Sequence, residues 1–207
     1  MKLRCWGVFL VSLWCAVCVG EVYASDGGAT SRVKGVLEKA MEIQTRPDLE
    51  GDAHRAGRAK LVRQVIAENF LAGQMAQESI KDQWDKISPA QRREFEDLFT
   101  VLFQDSYTRM VLNFLKKENI EYKGESSESG GMRVGTVILR TNEHIPVDYH
   151  LVQKSGRWLI RDVDIDGVSI VSNYTNTFRK VIGKGSFEDL LEKMRLQQKA
   201  IGENAGL

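Results

Sequence analysis

Apolar residues recur at every third or fourth position through the first half of the chain, which is the spacing of one face of an α-helix. The first apolar stripe begins at Ser31 and ends before Pro47, and two further helical stretches cover residues 53–66 and 71–84. The clearest helix starts at Ser88, an N-cap serine followed by proline and, three residues on, by glutamine. Four helices are therefore expected. The apolar face of the fourth is wide and rich in aromatic rings: Phe95, Leu98, Phe99, Leu102, Phe103, Tyr107, Met110, Val111 and Phe114.

After the long helix the apolar period shortens to about two residues, which is typical of β-strands. The predicted strands are residues 120–123, 133–140, 145–153 and 157–165. The turns that join them are short, so the strands are expected to form an antiparallel meander of about four strands. Two further helices, residues 169–181 and 186–199, close the chain. Helices grouped before and after an antiparallel sheet indicate an α+β fold.

The first 24 residues have the layout of a secretory signal peptide. Lys2 and Arg4 precede an almost continuous apolar run over residues 5–20, and a small residue, Ala24, stands where a signal peptidase cleaves. The apolar run is shorter than the roughly 20 residues that span a bilayer, so an anchor is not expected. We expect residues 1–24 to be removed and residues 25–207 to form a single domain.

All three cysteines (Cys5, Cys15 and Cys18) lie in the predicted signal peptide. The exported chain would therefore have no thiol, and apolar packing rather than disulfide bonds must stabilise it. We expect a periplasmic protein that is monomeric.

The charges of the exported chain balance. The full chain has 29 basic and 28 acidic residues, and removing Lys2, Arg4 and Glu21 leaves 27 of each. A neutral protein has little electrostatic attraction for nucleic acid or for an anionic membrane surface. We therefore expect no nucleic-acid partner.

Residues 162–167 read DVDIDG, which is how a calcium-binding EF-hand loop begins. Counting from Asp162, the ninth position is Ile170 and the twelfth is Asn173, and neither supplies the ligand that such a loop needs there. The segment before the aspartates also has the pattern of a strand rather than a helix. We therefore interpret the aspartates as a solvated strand edge that leads into a helix, and we expect no metal.

The sequence has no arrangement typical of an enzyme. Its three histidines are His54, His144 and His150, and the last two, if they lie on one strand, are about 20 Å apart and cannot share an ion. The chain contains no Gly-x-Ser-x-Gly elbow and no phosphate-binding glycine loop. We expect no catalytic residue and no resident cofactor.

A tryptophan strand at Trp158 runs into the sequence Asp-Val-x-Ile-x-Gly-Val-Ser, which begins at Asp162. An Asn-Tyr pair at residues 173–174 and then Phe178 follow on the next helix. This stretch closely resembles the MlaC family of periplasmic phospholipid-transport proteins, also called the toluene-tolerance auxiliary family.

Earlier segments match the same family, so the resemblance covers roughly residues 31–197. The matching pieces are Asn69-Phe70 with Met75-Ala76, the long helix from Gln91 to Tyr107, and the strand Pro146-Val147-Asp148-Tyr149. One departure is Thr175, where the family often has arginine, and this weakens any role assigned to an arginine there.

The resemblance implies an α+β fold of the NTF2 and cystatin-like class, with an apolar cavity between helices and sheet. It implies that phospholipid is the cargo, with its acyl chains in that cavity. It also implies two partners: an outer-membrane lipoprotein complex, and an inner-membrane ABC transporter that displays a substrate-binding ring. The expected role is maintenance of outer-membrane lipid asymmetry.

The candidate lipid-contacting residues are apolar side chains expected to face the gap between helices and sheet. From the helices they are Phe70, Met75, Phe99, Leu102, Phe103, Val168, Val171 and Tyr174, and from the strands Val137, Val147, Tyr149, Trp158 and Val163. Strand parity assigns Trp158 and Val163 to opposite faces unless a bulge intervenes.

The sequence leaves open two alternatives to a phospholipid carrier. The first is a non-catalytic NTF2-like docking module with a filled core, because periodicity cannot separate a filled core from a hollow one. The second is an enzyme that uses the same fold around a polar pocket. That enzyme would need a buried acid or histidine among the inward-facing positions.

Overall fold

The structure is a computed structural model, and it describes residues 28–205. The predicted signal peptide, residues 1–24, lies outside the described residues. Two short 3₁₀ turns, Pro47–Leu49 and Asp52–His54, join the first two helices. None of the helices in the described range is long and apolar enough to cross a bilayer. The α-helices are α1 (Ala29–Thr45), α2 (Arg55–Asn69), α3 (Ala72–Ser79), α4 (Lys81–Trp84), α5 (Pro89–Phe114), α6 (Ile170–Lys184) and α7 (Phe187–Ala205).

One antiparallel sheet lies between α5 and α6 in the chain, and its strands follow one another in sequence order. The strands are β1 (Asn119–Glu128), β2 (Gly131–Arg140), β3 (Glu143–Lys154), β4 (Arg157–Ile165) and β5 (Val168–Ser169). The prediction of an α+β fold with a meander sheet is confirmed. The sheet has five strands rather than the predicted four. The sequence did not reveal β5, because a strand of two residues is too short to show an alternating pattern.

Two helix starts follow directly from the sequence. The Ser88 hydroxyl accepts a hydrogen bond from the Gln91 backbone N–H (3.3 Å), and the Gln91 side chain accepts one from the Ser88 N–H (3.0 Å). At α6 the Ser169 hydroxyl accepts from the Ser172 N–H (3.0 Å). The helix expected over residues 71–84 is instead divided at Ile80, whose backbone leaves helical geometry while its side chain is buried in the core.

A β-bulge changes which residues of β4 face the helices. His150 pairs with Asp162, and the next residue of β3 pairs with Ile160, so Arg161 has no partner in the ladder. Beyond this bulge the parity of β4 is inverted. Trp158 and Val163 therefore face the same side of the sheet.

The side chains packed along one face of α5 include a set of contacting aromatic rings. We call this set the aromatic cluster; it consists of Phe70, Phe95, Phe99, Phe103, Tyr107, Tyr174, Phe178 and Phe187. The centroids of the Phe99 and Tyr174 rings are 4.9 Å apart, and those of Phe95 and Phe178 are 5.4 Å apart. Such ring pairs each add about 0.5–1.5 kcal/mol beyond the area they bury. The cluster joins α5 to the two C-terminal helices.

The aspartates of residues 162–167 have different structural roles. Asp162 joins β4 to the start of α6: its carboxylate accepts hydrogen bonds from the Val163 N–H (2.8 Å), the Val171 N–H (3.1 Å) and the Ser169 hydroxyl (2.5 Å). Asp166 turns the chain with a positive φ of 51°. Within residues 28–205, no three potential metal ligands are close enough to hold an ion.

Asp164 points to the outer face of the sheet, where it belongs to a charged network. The imidazole of His150 contacts the carboxylates of Glu128 (2.8 Å) and Asp164 (3.3 Å), and Arg161 donates to Glu128 (3.0 Å). Partial burial lowers the pKa of His150, but the two carboxylates outweigh it, so the pKa of His150 is raised. This network lies away from the core and favours a structural role for His150.

Asp162→Ala is expected to lower the free energy of unfolding by about 1–3 kcal/mol, because the buried Val171 N–H loses its acceptor. Urea unfolding followed by circular dichroism measures the loss. Asp166→Asn is the matched control. Asparagine tolerates the left-handed conformation, so a change within about 0.5 kcal/mol is expected. Equal losses in both variants would contradict the role given to Asp162.

Gly167→Val is expected to destabilise the protein by about 1–3 kcal/mol, because Gly167 has a φ of 77°, which a β-branched residue resists. Gly183→Val serves as the control, since Gly183 lies in α6 with nothing within 4 Å of an added Cβ. Valine is a slightly better helix former than glycine, so the control should be neutral or mildly stabilising. Thermal unfolding of both variants decides between these outcomes.

Candidate functional site

A cavity of about 460 Å³ lies between the inner face of the sheet and helices α1, α2 and α5. From the helices and their ends it is lined by Val36, Leu37, Ala40, Val62, Val65, Ile66, Phe70, Tyr107, Met110, Val111, Phe114, Leu115 and Ile170. From the sheet it is lined by Ile138, Arg140, Glu143, Ile145, Val147, Tyr149, Val163 and Ile165. Its volume is within the range of roughly 300–1,000 Å³ that is usual for ligand sites.

The cavity wall is aliphatic and aromatic except at one end. Its two charged residues, Arg140 and Glu143, lie at the β2–β3 turn, beside the C-terminal end of α5. Phe114, the last residue of α5, is 57% exposed although it also lines the cavity. We call Phe114, Arg140 and Glu143 the mouth. A ligand of this cavity must be mainly apolar, with any polar group at the mouth.

Two tyrosines are the polar groups that the interior of the wall contains. Burial raises the pKa of both Tyr107 and Tyr149 far above the ordinary value for a phenol. Both side chains therefore stay neutral at physiological pH. Among residues 28–205, the charged side chains of the wall are those of Arg140 and Glu143 at the mouth.

The long helix α5 serves two purposes along its length. Its first half is filled: Phe95, Phe99 and Phe103 are at most 1% exposed and contact other rings. Its second half, from Tyr107 to Phe114, forms one wall of the cavity. The same apolar face thus contributes packed core at one end and a hollow at the other.

Side chains from α1 and β2 hold the C-terminal end of α5 at the mouth. The Gln44 amide donates to the carbonyl oxygens of Val111 (2.8 Å) and Leu115 (2.9 Å). From the other side, the Arg140 guanidinium donates to the Phe114 carbonyl (2.6 Å) and lies 5.8 Å from the centroid of its ring. The last carbonyls of a helix have no partner within the helix, so the contacts to Phe114 and Leu115 satisfy two of them. The Val111 carbonyl also accepts from the Leu115 N–H (2.9 Å).

The structure brings four of the thirteen candidate residues together in the cavity wall: Phe70, Val147, Tyr149 and Val163. Contact between these four side chains and a lipid stays a prediction. Six others lie outside the wall. Five of them are in the filled core, namely Met75, Phe99, Leu102, Phe103 and Val171, and Tyr174 is partly buried against that core. These side chains pack against neighbouring rings and helices rather than lining the cavity.

The remaining three candidates lie outside the wall for different reasons. Val137 is on the outer face of β2, because it alternates with Thr136 and Ile138, which face inward. Trp158 faces inward through the bulge, but it pairs with Gln153 near the opposite end of β3. Val168 is 59% exposed on β5. The expectation is therefore corrected for Val137 and Val168, whereas Trp158 faces the helices as expected but outside the cavity wall.

Sequence reasoning missed the aliphatic wall formed by the first two helices, from Val36 to Ala40 and from Val62 to Ile66. Their apolar periodicity is the same whether the space beside them is filled or hollow. One signal was present in the long helix, where closely spaced phenylalanines give way to Met110, Val111 and Phe114. That change coincides with the boundary between filled core and cavity.

Comparison with known proteins supplies a family. The model of the family described as MlaC protein matches residues 34–196. A solved structure of a phospholipid-binding protein from Ralstonia solanacearum, determined in complex with a phospholipid, is similar with a TM-score of 0.70 and 21% sequence identity. The match covers 85% of this chain and 99% of that chain, and it shows a shared fold. No curated protein matches the chain.

Ala40→Leu should fill part of the cavity, because Ala40 lines it. We expect the free energy of unfolding to rise by about 1–2 kcal/mol, and the fluorescence of an apolar dye such as N-phenylnaphthylamine to fall. The matched control is Ala76→Leu, at a residue with no exposed surface in the filled core. There the added carbons should cost about 1–3 kcal/mol. If both variants destabilise equally, the space beside Ala40 is not hollow in solution.

Proposed function

The chain belongs to the MlaC family, and we propose that it is a phospholipid carrier of the periplasm that holds the acyl chains of its cargo in the cavity. The observation that carries this proposal is the cavity itself: its described interior wall is apolar and uncharged, and its charged residues lie together at one end, the mouth. The related fold of the Ralstonia protein, which is described with a bound phospholipid, supports the same ligand class.

The energetics of such a cargo suit a wall without charges. Burying one methylene stabilises by about 0.8 kcal/mol, so two chains of about 16 carbons each gain on the order of 20 kcal/mol. An apolar wall supplies this gain without any specific polar contact. The balanced charge of the chain fits a carrier whose affinity rests on hydrocarbon burial.

We propose further that the carrier moves lipid between two membrane partners and so maintains outer-membrane lipid asymmetry. One partner is an outer-membrane lipoprotein complex, and the other is an inner-membrane ABC transporter that displays a substrate-binding ring. The family supports these partners, and residues 1–24 support export to the periplasm. The exposed mouth, with Phe114 at its edge, offers a route by which an acyl chain can leave.

The cavity supports a carrier over the two alternatives. A docking module with a filled core would be close-packed and is not expected to contain a cavity of about 460 Å³ beside the sheet. An enzyme would need an ionisable acid or base inside the cavity. The charged residues of the described wall are Arg140 and Glu143, and both lie at the mouth. We therefore propose a binding protein without catalytic activity.

Native mass spectrometry of the exported protein purified from a Gram-negative periplasm, with lipid extraction of the same sample, tests the proposal. We expect about one phospholipid bound to each chain. A chain without lipid, still bare after incubation with phospholipid vesicles, would support the docking module instead. Retention of a different apolar molecule at full occupancy would show a carrier of another cargo.

Ile138→Asp is expected to abolish lipid occupancy, because a carboxylate in the wall must lose its hydration against hydrocarbon, at a cost of several kcal/mol. The matched control is Leu139→Asp, on the next residue of the same strand and therefore on the opposite face. It should keep its lipid. Native mass spectrometry reads both variants, and loss of lipid in both, or in neither, would contradict the proposed location of the acyl chains.

A further inference from the structure

Arg140 is a cation in the wall of an otherwise apolar cavity. Its side chain is 30% exposed, and it ends β2 at the mouth. A guanidinium group has five N–H donors. Among residues 28–205, its one hydrogen-bond acceptor is the Phe114 carbonyl, at 2.6 Å. Most of the donors of Arg140 therefore have no acceptor within the described protein.

The neighbouring carboxylates do not occupy those donors. Glu118 and Glu143 each approach the guanidinium at 3.7 Å, which allows electrostatic attraction but is too long for a hydrogen bond. Arg195, on the outer surface, differs in this respect, because it donates to Glu94 at 2.6 Å and to Glu188 at 2.8 Å. Arg140 is thus held in place through one donor while its remaining donors stay available to a ligand at the mouth.

We propose that Arg140 binds the phosphate group of the lipid whose acyl chains lie in the cavity. The proposal rests on the proposed function and adds a specific contact for the head of the cargo. Guanidinium matches phosphate because two parallel N–H groups can donate to two phosphate oxygens. The group stands at the end of the cavity where a polar head must emerge if the chains are buried. The bond to the Phe114 carbonyl holds the guanidinium at that end of the cavity.

The contact also gives the carrier a basis for selecting its cargo. A diacylglycerol has the same acyl chains as a phospholipid but no phosphate, so it gains the burial energy and not the contact with Arg140. The carboxylates of Glu118 and Glu143, each 3.7 Å from the guanidinium, repel a phosphate anywhere near the mouth, so only the N–H donors of Arg140 can offset that repulsion. The mouth therefore favours phosphate at one place, beside the guanidinium.

Two short-chain lipids that dissolve as monomers, dioctanoyl phosphatidylglycerol and dioctanoylglycerol, test this contact by displacing an apolar fluorescent dye from the cavity. Arg140→Gln is expected to weaken binding of the phosphatidylglycerol on the order of 10-fold, the effect of losing a charged hydrogen bond. Binding of the diacylglycerol should weaken by much less, because it loses only the support that Arg140 gives to the end of α5. Arg140→Lys, which keeps the charge without the fork of donors, should fall between wild type and Arg140→Gln.

Arg133→Gln is the matched control, because Arg133 lies on the same strand but on the outer face, where it contacts Asp148. It should bind both lipids as wild type does. An equal loss of both lipids in Arg140→Gln would overturn the proposal, because Arg140 would then act only by holding the end of α5. No loss of either lipid would also overturn it.

Two further outcomes separate this inference from the proposed function. If wild type binds neither lipid, the carrier function itself fails. If wild type binds inorganic phosphate alone as tightly as the phosphatidylglycerol, the site is one for free phosphate and the lipid contact is wrong. Tight binding of diacylglycerol together with an unchanged phosphatidylglycerol affinity in Arg140→Gln keeps the carrier and removes only the phosphate contact.

Discussion

The structure depends on close packing of aromatic rings along the first half of α5. A protein can keep an apolar hollow only if the surrounding elements are held rigidly by a core that is elsewhere filled, because interiors otherwise collapse to close packing. The rings of Phe95, Phe99 and Phe103 supply that rigidity, since they join α5 to α6 and α7 through Phe178 and Phe187. With its first half fixed, α5 extends its second half across the sheet as the wall of the cavity.

In the described part of the chain, the charged side chains near the cavity lie at its mouth and not in its interior. Of the wall residues that the structure describes, the polar ones in the interior are the neutral phenols of Tyr107 and Tyr149, whereas the ionic groups lie at the mouth around Arg140. There they meet the carbonyl oxygens at the end of α5, where Gln44 donates to Leu115 and Arg140 donates to Phe114. The polar contacts that a helix end requires are thus made at the one place where an apolar cargo also needs a polar boundary. Both the end of α5 and the proposed cargo therefore require polar groups at the mouth.

Much of the fold could be predicted because its signals are local. The capping box of Ser88 and Gln91 and the alternation along β3 depend on residues close in sequence, and both have the expected result. The bulge at Arg161 could not be predicted, because it is set by the pairing of β4 with β3. The residues of the cavity wall were harder still to predict from the sequence. Phe103 and Ile66 look alike as buried apolar residues, and only the tertiary arrangement shows that one fills space while the other borders it.

The central claim is that one half of the apolar face is filled and the other half contacts lipid. A phospholipid with a photoactivatable diazirine near the end of one acyl chain tests this directly, with the labelled residues mapped by mass spectrometry. The account predicts labels on residues of the cavity wall such as Val62, Ile66 and Val147. Labels concentrated on Phe99 and Phe103, or on the outer face of the sheet at Val137, would contradict it.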